Sequence, residues 1–246
     1  MKRQWIKVTR GSLLLAAYYR VIDIIEGLSG ETDVSPLGYI VQEELLDPSW
    51  VLERVESGLL EVRVSHSQGG MEEYEEEFSL GDRRLVVRLT PVRELWGVSL
   101  SSLYEAVPGI VLRADSIEFK QLAFETTRNG IEYMGLYLDD GRVAFFEGEF
   151  LRVSLPFVKA TGSIHTHPEG SCMLSLKDLE SGLDLLVEGG LFEAVATSSC
   201  AFVMYRLGFV TEDDFFRVKE ALLKARGRGL RGPLKLESIK FYSLAY

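Results

Sequence analysis

From Ser116 onward, segments with the two-residue period of strands alternate with segments of helical period, and that alternation admits an α/β or α+β domain and little else. Helices are expected over Ser116 to Arg128, Ser175 to Glu188 and Thr211 to Arg226. Between them the pattern predicts strands over Ile131 to Leu138, Arg142 to Phe146, Leu151 to Val158, Ala160 to Thr166, Glu193 to Ser199 and Ala201 to Arg206. Asp139-Asp140-Gly141 supplies a hairpin turn. Val107-Pro108-Gly109 is the best break in the chain, lying between a helix-like Ser99 to Ala106 and the run Ile110 to Arg113, which reads as a strand. A boundary is therefore expected there, with a mixed α/β domain over 1–109 and a second domain over 110–246.

Before that break, a buried helix is expected from Ser12 to Leu28, stopped near Gly27 and Gly30. Pro48 to Gly58 reads as a short helix, and Leu59 to Ser65 and Arg84 to Leu89 as strands, the first followed by the turn residues His66 to Gly70. The run Glu72-Glu-Tyr-Glu-Glu-Glu77 reads as a solvated strand or loop. Lys2, Arg3, Lys7 and Arg10 ahead of Leu13 to Tyr19 imitate a signal peptide, but Arg20 and Asp23 interrupt the apolar run and no small-residue cleavage site follows. No stretch approaches the roughly 18 apolar residues of a membrane-spanning helix, so a soluble, cytoplasmic protein is expected.

Charge and cysteine content narrow the function classes. With 27 Lys+Arg against 37 Asp+Glu the formal charge is −10, and the molecule lacks the positive field that binding nucleic acid needs. Two cysteines, Cys172 and Cys200, cannot staple a secreted scaffold of 246 residues. A single Asn and four Gln beside 26 Glu make a high-temperature composition, and intracellular disulfides do occur in hyperthermophiles.

The chemistry concentrates in one region. Two of the three histidines stand as His165-Thr166-His167 at the end of an apolar strand, where side chains two apart share a face and both imidazoles converge on one point. Pro168 ends the strand, and Asp178 follows within Ser175-Leu-Lys-Asp178 at the start of the next helix. Two neutral imidazoles and a carboxylate suit Zn2+, with the fourth tetrahedral position left to water as in catalytic sites. Cys172, five residues from His167, would instead close the site as a structural one. Ser175 and Asp178 are also spaced as a helix-capping pair, which needs no metal. Glu132 stands among competing carboxylates at Glu125, Glu147 and Glu149, and His66 reads as a surface histidine.

These residues resemble a known signature. Glu132-Tyr-Met-Gly-Leu136, then Gly162-Ser-Ile-His165-Thr-His167-Pro168, then six residues and Ser175-Leu-Lys-Asp178 are similar to the pattern of the JAMM (MPN+) zinc metallopeptidases: a strand glutamate followed by H-(S/T)-H-P-x6-S-x2-D. The resemblance covers roughly residues 110 to 226 and implies a twisted β-sheet flanked by helices. It also implies one Zn2+ per chain and hydrolysis of isopeptide or peptide bonds after the C-terminus of ubiquitin or a ubiquitin-like protein. Carried over by position, His165, His167 and Asp178 would hold the metal, Glu132 would be the general base and Ser175 the oxyanion donor. Members of the family with a cysteine pair in a similar place suggest a disulfide between Cys172 and Cys200. The short connection after the helix Ser175 to Glu188 leaves no room for the insertions of members specialised for one polyubiquitin linkage, so small ubiquitin-like modifiers are the expected partners. A non-catalytic MPN scaffold is the alternative, but scaffold members usually lose motif residues that this chain keeps. Residues before Pro108 resemble nothing identified.

Overall fold

The computed structural model describes residues 3–32, 35–66, 72–148, 159–168, 172–225 and 234–245. In chain order the strands are β1 (Gln4–Val8), β2 (Tyr39–Val41), β3 (Leu59–His66), β4 (Tyr74–Leu80), β5 (Arg83–Pro91), β6 (Val98–Ser99), β7 (Tyr133–Leu138), β8 (Arg142–Glu147), β9 (Ala160–Thr166), β10 (Phe192–Ala196), β11 (Cys200–Arg206) and β12 (Ile239–Ala245). The helices are α1 (Arg10–Thr32), α2 (Pro48–Ser57), α3 (Leu100–Ala114), α4 (Ser116–Asn129), α5 (Leu176–Val187) and α6 (Glu212–Ala225). Two mixed sheets result: a seven-stranded sheet in the order β1-β8-β7-β9-β10-β11-β12 and a five-stranded sheet in the order β4-β5-β3-β2-β6. The chain is a mixed α/β protein of the α+β kind, as its alternating periods predict.

Helix α1 organises the packing. Nearly every residue from Leu14 to Ile25 is buried, and a helix apolar around its circumference has to be covered on more than one side. Strands β7, β8 and β9 of the larger sheet cover it together with α2 and α3. The opposite face of that sheet, carrying Val195 and Met204, packs on Leu179, Leu183 and Leu186 of α5 and on Val218 and Leu222 of α6. Among the described residues, no helix is long and apolar enough to cross a membrane.

The division expected at 109/110 does not coincide with a break in the structure. Val107, Pro108 and Gly109 lie inside α3, and Ile110 to Arg113, expected as a strand, form its last turns. Proline and glycine inside a helix disfavour it by about 3 and 1 kcal/mol. The stripe Leu100, Leu103, Tyr104, Val107 and Val111, buried in a core shared with α1, outweighs that cost. In addition, β1 pairs antiparallel with β8, Gln4 opposite Phe146, so the start of the chain forms an edge of the larger sheet. Helix α1 also continues past Gly27 and Gly30 to Thr32. The sequence pattern gives no signal for strands β1, β2, β6 and β12, and the strand expected at Leu151 to Val158 lies outside the described residues.

Candidate metal centre

The histidine strand is pinned from its far face. Thr166 points away from the two imidazoles, its hydroxyl lying 2.6 Å from the Thr126 hydroxyl of α4 and accepting the Tyr133 N–H at 2.8 Å. The His167 N–H donates to Ala196 O at 2.9 Å, carrying the parallel β9–β10 pairing one residue past the strand. His165 and His167 are thereby held on the face that carries α5.

At the N-terminus of α5, Ser175 and Asp178 form a reciprocal capping box. The Asp178 N–H donates to Ser175 Oγ at 3.2 Å, and the Ser175 N–H donates to Asp178 Oδ2 at 2.7 Å. The same Oδ2 lies 3.3 Å from His165 Nε2 and 3.5 Å from His167 Nε2, and the two Nε2 atoms are 3.2 Å apart. Capping and convergence on the histidines therefore coexist in one carboxylate. The three groups form a cluster able to hold a metal ion. A tetrahedral ion about 2.0–2.1 Å from each ligand sets neighbouring donor atoms about 3.3–3.4 Å apart, so the donor spacing and the N, N, O donor set fit zinc.

Sequence reasoning missed a buried group behind the cluster. Glu193, a carboxylate in the otherwise apolar β10, places Oε1 3.0 Å from His165 Nδ1, and the Ser163 hydroxyl donates to its Oε2. A charged residue inside so apolar a strand, directly across the parallel register from Ser163, was the available signal. Burial works against the His165 imidazolium, but hydrogen bonds to Asp178 and Glu193 outweigh it and push the imidazole pKa up to about 10. Burial also works against the Asp178 carboxylate, yet the two imidazoles hold it well below the usual range. For Glu193, burial raises the pKa and the His165 contact opposes the rise. Two carboxylates facing one imidazole favour positive charge at this point.

The other expected residues take distinct positions. Glu132 is exposed and immediately precedes β7. Met134 pairs with His165, so two residues back the antiparallel register puts Glu132 opposite His167 and on the same face. Its carboxylate is outside the ligand cluster. Of its competitors, Glu125 accepts from the Tyr133 hydroxyl at 2.9 Å, Glu147 accepts from the Arg3 N–H at 3.2 Å, and Glu149 lies outside the described residues. Ser175 is exposed beside Asp178. Cys172 and Cys200 are joined in a disulfide with their Cα atoms 6.3 Å apart, which takes Cys172 out of contention as a thiolate ligand. His66 packs on Tyr39 at the end of β3, with ring centroids 4.7 Å apart. Comparison of the chain with protein-family models, with curated proteins and with solved structures gave no match.

Proposed function

We propose that the protein is a zinc-dependent metallopeptidase that hydrolyses isopeptide or peptide bonds at the C-terminus of a ubiquitin-like protein. The observation that carries this reading is the set of donor distances, 3.2, 3.3 and 3.5 Å among His165, His167 and Asp178, within the histidine and S-x-x-D spacing. Zinc held there lowers the pKa of water toward about 7 and polarises a carbonyl. His165, His167 and Asp178 are the ligands. Glu132, exposed on the same face and free of the ligand cluster, takes the proton from the attacking water and delivers it to the leaving amine. The Ser175 hydroxyl, which accepts the Asp178 N–H, keeps its own proton to donate to the oxyanion as charge develops.

The test pairs metal analysis with cleavage of a ubiquitin-like fusion by the wild type and by Glu132→Gln. One zinc per chain in both, with cleavage in the wild type alone, supports the reading. Full activity in the variant removes Glu132 from its role, and a wild type that takes up no zinc at neutral pH ends the mechanism.

A further inference from the structure

We infer that Glu193 is a positioning residue for metal binding: it fixes the tautomer and ring orientation of His165 so that Nε2 faces the ion, and Ser163 holds Glu193 in turn. The inference rests on the metal reading of the His165, His167 and Asp178 cluster.

Glu193 is 2% exposed, and among the described residues it forms no ion pair with Lys or Arg. A carboxylate buried without a basic partner is costly unless its hydrogen bonds are specific. Those shown are the His165 Nδ1 contact at 3.0 Å and the Ser163 hydroxyl, itself 1% exposed. A carboxylate at Nδ1 is met by a proton there, so when an ion takes the Nε2 lone pair the ring keeps its one proton on Nδ1, where Glu193 accepts it. Helix α5 is shaped around the same group. A Cβ at Gly182 would stand 3.0 Å from both Cβ and Cγ of Glu193, so glycine, one turn along from Asp178, lets the helix seat directly on the stem of the Glu193 side chain.

Ser163, Glu193 and His165 superficially suggest a serine hydrolase. The order of contacts argues otherwise: the hydroxyl meets the carboxylate, whereas a nucleophilic serine meets the imidazole. Ser163 is also buried away from any substrate.

The experiment uses the full chain as wild type, Glu193→Gln and Ser163→Ala. Zinc affinity is measured by competition with a chromophoric chelator, and the urea midpoint by circular dichroism. The three histidines also make the imidazole N–H signals of the zinc-loaded protein assignable by 15N NMR. The expected result for Glu193→Gln is a loss of zinc affinity of about 10- to 100-fold with the urea midpoint held or raised, and a smaller loss for Ser163→Ala. In the wild type, His165 should show a slowly exchanging Nδ1–H, replaced by fast exchange in Glu193→Gln. Zinc affinity in Glu193→Gln within about threefold of the wild type would overturn the inference alone, as would a fall in affinity matched by an equal loss of stability. Should that variant not fold, a wild-type His165 without a proton on Nδ1 would overturn it as well. No zinc uptake by the wild type would overturn this inference together with the metal reading.

Discussion

Substituting Glu26→Gln on α1 should destabilise the whole protein, because it removes the only carboxylate facing a buried arginine among the described residues. Arg206 of β11 is 2% exposed at its side chain and pairs with Glu26 through both terminal nitrogens, one at 3.0 Å. The Tyr104 hydroxyl of α3 donates to the same carboxylate. Removing one partner of a buried pair costs about 3–5 kcal/mol because the remaining charge is left uncompensated. Here the guanidinium keeps the carbonyls of Gly190 at 2.8 Å, Gly208 at 2.8 Å and Gly189 at 2.9 Å, which places the cost near the lower figure, about 3 kcal/mol. Against a total of about 5–15 kcal/mol that is a large fraction. With a urea slope of about 3 kcal/mol per molar for a chain of this size, the midpoint should fall by about 1 M. Trp5, Trp50 and Trp96 all lie before residue 109, and Trp5 stacks on Phe145 of β8, so their fluorescence reports the first part of the chain and its seam with the larger sheet while far-UV circular dichroism reports all of it. The two signals should move together. A midpoint shift below about 0.3 M would refute the argument about Arg206, and a fluorescence transition separated from the dichroism transition would refute the shared core. The double variant Glu26→Leu with Arg206→Met should recover more than half of the loss, since it removes both charges.

Stability should decline as pH rises above 10. Burial raises the pKa of Tyr19 to about 12 and raises those of Tyr18, Tyr104 and Tyr242 as well, so between those values the unfolded chain loses tyrosine protons that the folded state retains. Urea midpoints at pH 9, 10 and 11 check this, and a flat profile would refute it. Replacing both cysteines of the disulfide, which spans 28 residues, should lower stability by about 2–4 kcal/mol, read as a drop in thermal midpoint; an unchanged midpoint would count against the bond. Asp178→Asn should keep the helix cap, lose the stability that the carboxylate's contacts with the two imidazoles supply, and lower zinc affinity more than about tenfold by neutralising one of three ligands. Equal affinity in a chelator competition would reduce Asp178 to a capping residue. Gly135→Ala brings a Cβ to 3.0 Å from Phe119 Cζ and should cost about 1–3 kcal/mol, measured by urea unfolding.

What could be read from the sequence was whatever local periodicity and spacing encode. The strand Ala160 to Thr166 was legible to the residue because apolar alternation and Pro168 bound it, and α5 and α6 differ from expectation by one residue at each end. The cluster of His165, His167 and Asp178 was legible for the same reason, since two-residue strand spacing and a helix start bring its members together. The failures came where distant partners decide. Val107-Pro108-Gly109 carries a turn signal that burial against α1 overrides, and Gln4 to Val8 is a strand only because β8 offers an edge. Glu193 shows in the sequence only as a charge in an apolar strand, because its role depends on Ser163 and His165, about 30 residues earlier in the chain.

The pairing of β1 with β8 also bears on how the chain reaches its native state. Gln4 and Phe146 meet across more than half of the sequence, so the edge of the larger sheet is a contact of very high sequence separation. During synthesis at about 5–20 residues per second, the first strand and the apolar helix after it wait roughly 10–30 seconds for their partners. Over that interval the face of α1 that ends up under β7, β8 and β9 has no native cover, which marks residues 14–25 as the segment of the nascent chain most in need of protection from self-association.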